Sequence, residues 1–235
     1  MRWTNCASAA LVLGWLAAAS ASAQQAPPAP AAPPPRFMVV LDAAHGGDDM
    51  GGRLANNQLE KDFTLALSVR LRSLLGARGI QVVTTREADA TVEPNRRAEI
   101  ANRAKAEACL SLHATESGSG VHLFASSLAP AQPARFTAWR TAQAAAVTRS
   151  LALEGVLNSA LQQAGMSVTL GRTSLPAIDS MTCPAVAVEI APELGPDKKV
   201  TAALDDPDYQ ARVAEALAAA LLEWRSEVLR TEGRP

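Results

Sequence analysis

FMVVLDAAHGG, residues 37–47, decides how the rest of the chain is read. Five consecutive apolar residues, Phe37 to Leu41, are ended by Asp42 and then by His45, Gly46 and Gly47. That is the pattern of a buried strand feeding a glycine-rich loop. The next signal is helical. In Glu60–Arg78, apolar Phe63, Leu67, Leu71, Leu74 and Leu75 recur at three- and four-residue steps, and Gly79 ends the pattern. Ile80–Thr84 is a second strand. Glu93-Pro94 opens a helix to about Glu107, with proline where its missing N–H costs nothing. Cys109–His113 is strand-like again, and Val121–Ala125 is expected to join the sheet after the Gly/Ser-rich turn Glu116–Gly120. Phe136–Gln163 reads as an Ala-rich helix with a break near Ser150 or Gly155. Ala185–Ile190 is the last core strand, and a closing helix from Pro207 carries Val213, Leu217, Leu221, Trp224 and Val228. Strands alternating with helices of this length predict one α/β domain, a mostly parallel or mixed central sheet with helices on both faces.

The flanking composition says where that domain begins. Arg2 is the only charge before Arg36, and Ala9–Ala19 is an apolar run too short to span a bilayer. Ala21-Ser22-Ala23 follows it as a small-x-small site, so residues 1–23 are expected to be a signal peptide cut after Ala23. Cys6 precedes the run, which argues against a lipidated cysteine at the cut. Residues 24–36 hold 6 of the 15 prolines and predict an extended spacer. The folded domain is then 37–228, with 229–235 as a tail. The product would be exported, periplasmic or extracellular, with no stable membrane anchor after cleavage. Cys109 and Cys183 lie beside apolar runs and read as small buried thiols, with one disulfide as the alternative. No CxxC spacing suggests a thiolate metal site.

Of 235 residues, 48% are hydrophobic, and 22 Lys+Arg stand against 23 Asp+Glu. With a formal charge of −1 and only 4 Trp, 1 Tyr and 4 Phe, the chain has neither the basic footprint nor the stacking surface of a nucleic-acid binder. Phe136, Trp139 and Trp224, in helical regions, make no sugar platform. The glycines of 46–52 are not followed by Gly-Lys-Ser/Thr, which excludes a phosphate loop.

In α/β sheets functional residues gather at the carboxyl ends of strands. His45, His113 and Glu189 stand there, and Glu60 opens the first helix. Two imidazoles and a carboxylate are the usual ligands of a catalytic zinc whose fourth position is left to water. Spacing alone leaves the alternatives open, a histidine as a polar cap and a glutamate set against the helix dipole.

The local motifs add to this. VVLDAAHGGDDMGG at 39–52, Glu60-Lys61-Asp62, TTRE at 84–87, NRRAEIANRAKAEACLSLHA at 95–114, PAVAVEI at 184–190 and the closing LDDPDYQARVAEALAAALLEW occur in that order. Together they resemble the zinc-dependent N-acetylmuramoyl-L-alanine amidases of the cell-wall hydrolase type, over nearly all of 37–225. The resemblance implies that His45, Glu60 and His113 hold one zinc ion and that Glu189 is the catalytic glutamate. It implies cleavage of the amide between the lactyl group of N-acetylmuramic acid and L-Ala of the peptidoglycan stem peptide. Two alternatives stand beside it: a non-catalytic peptidoglycan-binding or regulatory protein that keeps the fold, and a zinc peptidase cutting within the stem peptide.

The sequence also departs from the family. The family has Asp-Pro-Gly-His where Asp42-Ala43-Ala44-His45 stands, which predicts a differently shaped turn because Ala44 lacks the freedom of glycine. His113-Ala114-Thr115 replaces His-Ala-Asn, and Ile190-Ala191-Pro192-Glu193-Leu194 replaces a Gly-Phe segment. Glu193 and Glu116 are expected to add negative charge at the rim. About ten residues separate Ala125 from Phe136, too few for the long inhibitory helix that some members carry; any regulatory protein is unknown. His122 reads as structural or substrate-lining, and Asp42 as a group that orients a ligand histidine from behind or as a loop cap. Arg86 and Arg97 suit helix–loop packing, and Arg172 could contact a stem-peptide carboxylate.

Overall fold

A computed structural model of the protein describes residues 37–231 apart from 133, 134 and 137, together with the single residues 1 and 233. The expected signal peptide beyond Met1, the spacer and most of the expected tail lie outside the described residues.

Strands form where the chain is apolar on both sides. In order the elements are β1 (Met38–Ala43), α1 (Glu60–Gly76), β2 (Gln81–Thr84), α2 (Pro94–Ala104), β3 (Ala108–Ala114), β4 (Val121–Ser126) and α3 (Val147–Gln163). They continue with β5 (Val168–Thr173), α4 (Pro176–Asp179), β6 (Ala185–Ile190), β7 (Glu193–Leu194), β8 (Val200–Ala202) and α5 (Pro207–Thr231). Six strands make a mixed sheet in the order β2-β1-β3-β6-β4-β5. β1, β2, β3 and β6 are parallel, whereas β4 runs antiparallel to β6 and carries β5 parallel to itself.

Alternation divides the two faces. Leu110 and Leu112 of β3, Val186 and Val188 of β6, and Leu41 of β1 face α1, α3 and α5 in the larger core. Phe63, Leu67, Leu71 and Leu75 of α1 are buried there at four-residue steps. Fully burying a leucine such as Leu71 or Leu75 contributes roughly 1.5–3 kcal/mol, so Leu71→Ala would loosen this face. The opposite face presents Val40, Cys109, Ala185 and Ala187 to the smaller core under α2 and α4. On that same face the next residues along the strands are Asp42, Ser111, His113 and Glu189. α5 closes the larger core, its Tyr209 hydroxyl donating to Ala191 O at 2.7 Å and Trp224 Nε1 to Glu107 O at 2.8 Å. No described helix is long and apolar enough to cross a membrane.

Several local expectations change. Cys109 and Cys183 are buried, but as a disulfide with Cα atoms 6.1 Å apart, not as two thiols. Cys109 N donates to Pro184 O, and this pairing brings the turn before β6 against β3. The helix expected from Phe136 begins at Val147, preceded by a 3-10 stretch, Trp139–Ala145. The break falls there because Gln143 turns into the interior, its Nε2 donating to Ile178 O, Met181 O and Cys183 O; Gly155 lies inside the helix. α2 stops at Ala104, where Lys105 adopts a left-handed φ of 50°. α5 continues to Thr231, into the stretch expected as a tail. β5 was not evident in the sequence because it is an edge strand whose Thr169, Leu170 and Arg172 are exposed, so it lacks an apolar run.

Candidate active site

His45 follows β1, Glu60 is the first residue of α1, and His113 is the penultimate residue of β3. The fold brings these three together. Their ligand atoms all lie within 4.8 Å of one another. Glu60 Oε1 is 3.1 Å from both His45 Nε2 and His113 Nδ1. The rings meet edge to face, with centroids 5.5 Å apart.

Backbone contacts hold the carboxylate. Gly52 N donates to Glu60 Oε2 at 2.7 Å and Ala114 N to Oε1 at 3.2 Å. Burial opposes ionisation of Glu60, but its close contacts with the His113 and His45 imidazoles and the hydrogen bond from the Gly52 amide outweigh it and hold the carboxyl far below its usual range. The Glu60 hydrogen bond raises the His45 pKa in return, against burial and with help from Asp49. Gly51 must be glycine. Its φ is +65°, and a Cβ would come within 2.6 Å of His45 Cδ2 and 2.8 Å of Glu60 Oε2.

Each imidazole is oriented from behind. His45 Nδ1 donates to Asp49 Oδ2 at 2.9 Å, which leaves Nε2 facing Glu60. Ser111 Oγ donates to Asp42 Oδ2 at 2.8 Å and lies 3.3 Å from His113 Nε2, so that nitrogen is the donor and Nδ1 faces Glu60. Asp42 therefore supports His113 through Ser111. Sequence reasoning missed Asp49 and Ser111, although Asp49 stands four residues after His45 and Ser111 two before His113.

The turn carrying His45 is held by two buried arginines. Arg97 donates to Asp42 Oδ1 and Ala43 O, both at 2.7 Å, and to His45 O at 2.6 Å. Arg86 donates to Ala43 O and Ala44 O. The left-handed conformations fall on His45, Gly46 and Gly47, not on Ala44. Replacing the family's glycine at that point therefore demands no forbidden geometry.

Glu189 stands apart from the trio. On β6 it is in register with His113 of β3 and His122 of β4. Its Oε2 lies 3.2 Å from His122 Nδ1. Gly118 lets His122 sit there, because a Cβ at Gly118 would overlap the imidazole. Glu189 and His113 line one cavity of about 230 Å³ with Phe124 and Leu175. His113 and Leu175 also line a second cavity of about 250 Å³, shared with His45, Asp49, Pro94 and Pro176. The two cavities meet at His113 and Leu175, at the carboxyl end of the sheet, with His45 lining one and Glu189 the other.

A model of the N-acetylmuramoyl-L-alanine amidase family matches residues 39–223, most of the chain and all of this site. The chain belongs to that family. The germination-specific amidase of Bacillus subtilis (strain 168) is 33% identical over 90 aligned positions, 32% of this chain and 38% of that protein. Amidase AmiA of Escherichia coli (strain K12) is 39% identical over 77 positions, 33% of this chain and 27% of AmiA. These alignments span well under half of the relatives' own length. Among solved structures, the catalytic domain of the amidase CwlV from Bacillus (Paenibacillus) polymyxa var. colistinus is 26% identical, with a TM-score of 0.63 over 81% of this chain and 98% of that domain. Ami1 from Mycobacterium smegmatis, 19% identical with a TM-score of 0.65, shares the fold.

Against the amidase pattern, the altered rim is tied down. Glu193 pairs with Arg212 at 3.0 Å, so it is not the free negative charge expected, whereas Glu116 is exposed and accepts only a neutral hydrogen bond from Ala55 N at 2.8 Å, which leaves its charge in place. Arg172 donates to Ser126 O and Leu128 O, anchoring the segment after β4 instead of turning its fork to these cavities. That segment, 127–146, is twice the expected length. Its described residues do not line either of the two cavities at the ligand trio.

Proposed function

We propose that this amidase is an exported, zinc-dependent peptidoglycan hydrolase that cleaves the amide between the lactyl group of N-acetylmuramic acid and L-Ala. His45, Glu60 and His113 would hold one zinc ion per chain, and Glu189 would be the catalytic acid–base. The carrying observation is the convergence of two imidazole nitrogens and a carboxylate oxygen, with a second carboxylate one strand away. Zinc ligands at about 2.0–2.1 Å in a tetrahedron stand about 3.3 Å apart. The 3.1 Å separations from Glu60 Oε1 to the two histidines fit that spacing. Asp49 and Ser111 leave the required nitrogen of each ring facing inward, the usual outer-shell arrangement.

Zinc held there would polarise the scissile carbonyl and bring the pKa of a water towards about 7. Glu189 takes the proton of the attacking water as the new C–O bond forms. It returns that proton to the L-Ala nitrogen as the C–N bond breaks, so the products are a free lactyl carboxylate and a free amino terminus. His122, hydrogen-bonded to Glu189, limits the rotamers open to that carboxylate. The reading takes 1–23 as the signal peptide, 24–36 as the spacer and 37–228 as the catalytic domain. Its place of action is the periplasm or the exterior, on peptidoglycan and not nucleic acid.

The test is digestion of purified peptidoglycan with zinc, followed by mass analysis. Stem peptides beginning at L-Ala are expected, and Glu189→Gln should lower the rate by about 10²–10⁴. Fragments cut within the stem, or undiminished turnover in Glu189→Gln, would contradict the reading.

A further inference from the structure

The cavities do not stop at the ligand trio. A larger cavity of about 510 Å³, which shares Pro94 and Pro176 with the His45 cavity, carries Trp139 and Arg140. Trp139 is 51% exposed, and the Arg140 guanidinium lies 4.9 Å from its ring centroid. The 3-10 stretch bearing both is fixed in place by buried Gln143, which donates to three carbonyls and accepts from Ser150 Oγ at 2.7 Å. An indole held in the open mouth of a cavity is unusual for a side chain with so much apolar surface.

We propose that the Trp139–Arg140 cavity is a subsite for the glycan strand, binding a sugar ring next to the muramoyl residue under attack. The assignment rests on the amidase reading and follows from the direction of proton transfer. Glu189 must reach the leaving nitrogen, so the peptide runs towards the cavity lined by Phe124. The acyl side, with its sugar, then points the other way, past Pro94 and Pro176 to Trp139. The lining suits a neutral polyhydroxylated ligand. The indole offers a flat apolar face to the C–H side of a pyranose, while Arg140 and Asn95 offer polar groups to hydroxyl and acetamido substituents. The exposed Glu93 on the same wall disfavours an anionic peptide end. Trp139 was not evident as a sugar contact in the sequence because it reads there as one face of a helix; the 3-10 stretch takes it out of that helix.

The test is calorimetric binding to the metal-free full chain, where no turnover occurs, of two probes: a peptide-free tetrasaccharide of alternating N-acetylglucosamine and N-acetylmuramic acid, and a free stem pentapeptide. Trp139→Ala should weaken tetrasaccharide binding about tenfold, the scale of one aromatic stacking contact, and Trp139→Phe should recover most of it. The proposal is overturned if the wild type does not bind the tetrasaccharide, if Trp139→Ala binds it as well as the wild type, or if only pentapeptide binding falls. Turnover of peptidoglycan, measured separately with zinc, reports on the amidase reading. Glycan binding lost with Trp139 in a protein that cleaves nothing would sink that reading and leave the subsite standing.

Discussion

Replacing Arg97 by methionine should damage stability and metal binding together. Asp42 is 2% exposed and its carboxylate accepts from Thr85 Oγ1, Ser111 Oγ and Arg97 Nη1. Among the described residues, Arg97 alone makes an ion pair with it. Removing one partner of a buried pair costs about 3–5 kcal/mol, because the other charge stays buried and uncompensated. Arg97 also serves the carbonyls of Val92, Ala43 and His45, so the upper end of that range is expected. For a domain of this size each kcal/mol moves Tm by about 2–4 °C, and a fall of roughly 10–15 °C follows. The turn bearing His45 loses its clamp in the same step, and zinc affinity should fall about 10–100-fold, as for other outer-shell supports. The assay is differential scanning calorimetry of the metal-free protein, with zinc affinity from chelator competition. Adding Asp42→Asn to Arg97→Met should recover part of the stability. A Tm within about 3 °C of wild type, or unaltered zinc affinity, would refute the argument that this buried pair builds the ligand turn.

Three further outcomes are expected. The Cys109–Cys183 disulfide closes a separation of 74 residues, so Cys109→Ala/Cys183→Ala should lose about 4 kcal/mol in urea unfolding, and peptide mapping without reductant should find the two cysteines linked. Burial raises the Glu154 pKa, against the Ala125 amide and the Arg172 charge, and Oε1 has no partner among the described residues. The folded protein therefore holds a proton that the unfolded chain releases above its ordinary value, and stability falls as pH rises through the folded pKa. Glu154→Gln should stabilise by about 1–2 kcal/mol at pH 8 and by little at pH 4; an equal gain at both would refute the assignment. His122→Ala should lower kcat about tenfold while changing KM little, because it frees the Glu189 carboxylate without touching the ligand trio; an unaltered kcat would show that His122 does not position it.

The core strands and α1 were legible because their burial is written as apolar runs and four-residue steps. His45, Glu60, His113 and Glu189 were legible as residue types at strand ends and a helix start, and through the motifs around them. What lay beyond reach was whatever depends on tertiary pairing. The Cys109–Cys183 bond joins residues far apart in sequence whose local context suits a thiol equally well. Asp49 and Ser111 acquire their roles only when the loop after β1 folds back and β3 presents its second face. The late start of the helix expected from Phe136 depended on Gln143 finding carbonyls near α4, and nothing in the Ala-rich sequence marks that glutamine as buried.

Anomalous diffraction at the zinc edge, from crystals of the wild-type protein grown with equimolar zinc, tests the central claim most directly. One ion is expected, bound by His45 Nε2, a Glu60 carboxylate oxygen and His113 Nδ1, with Glu189 beside it but outside its ligands. A zinc ion bound elsewhere, none bound at all, or one that takes Glu189 as a ligand in place of Glu60 would contradict the account.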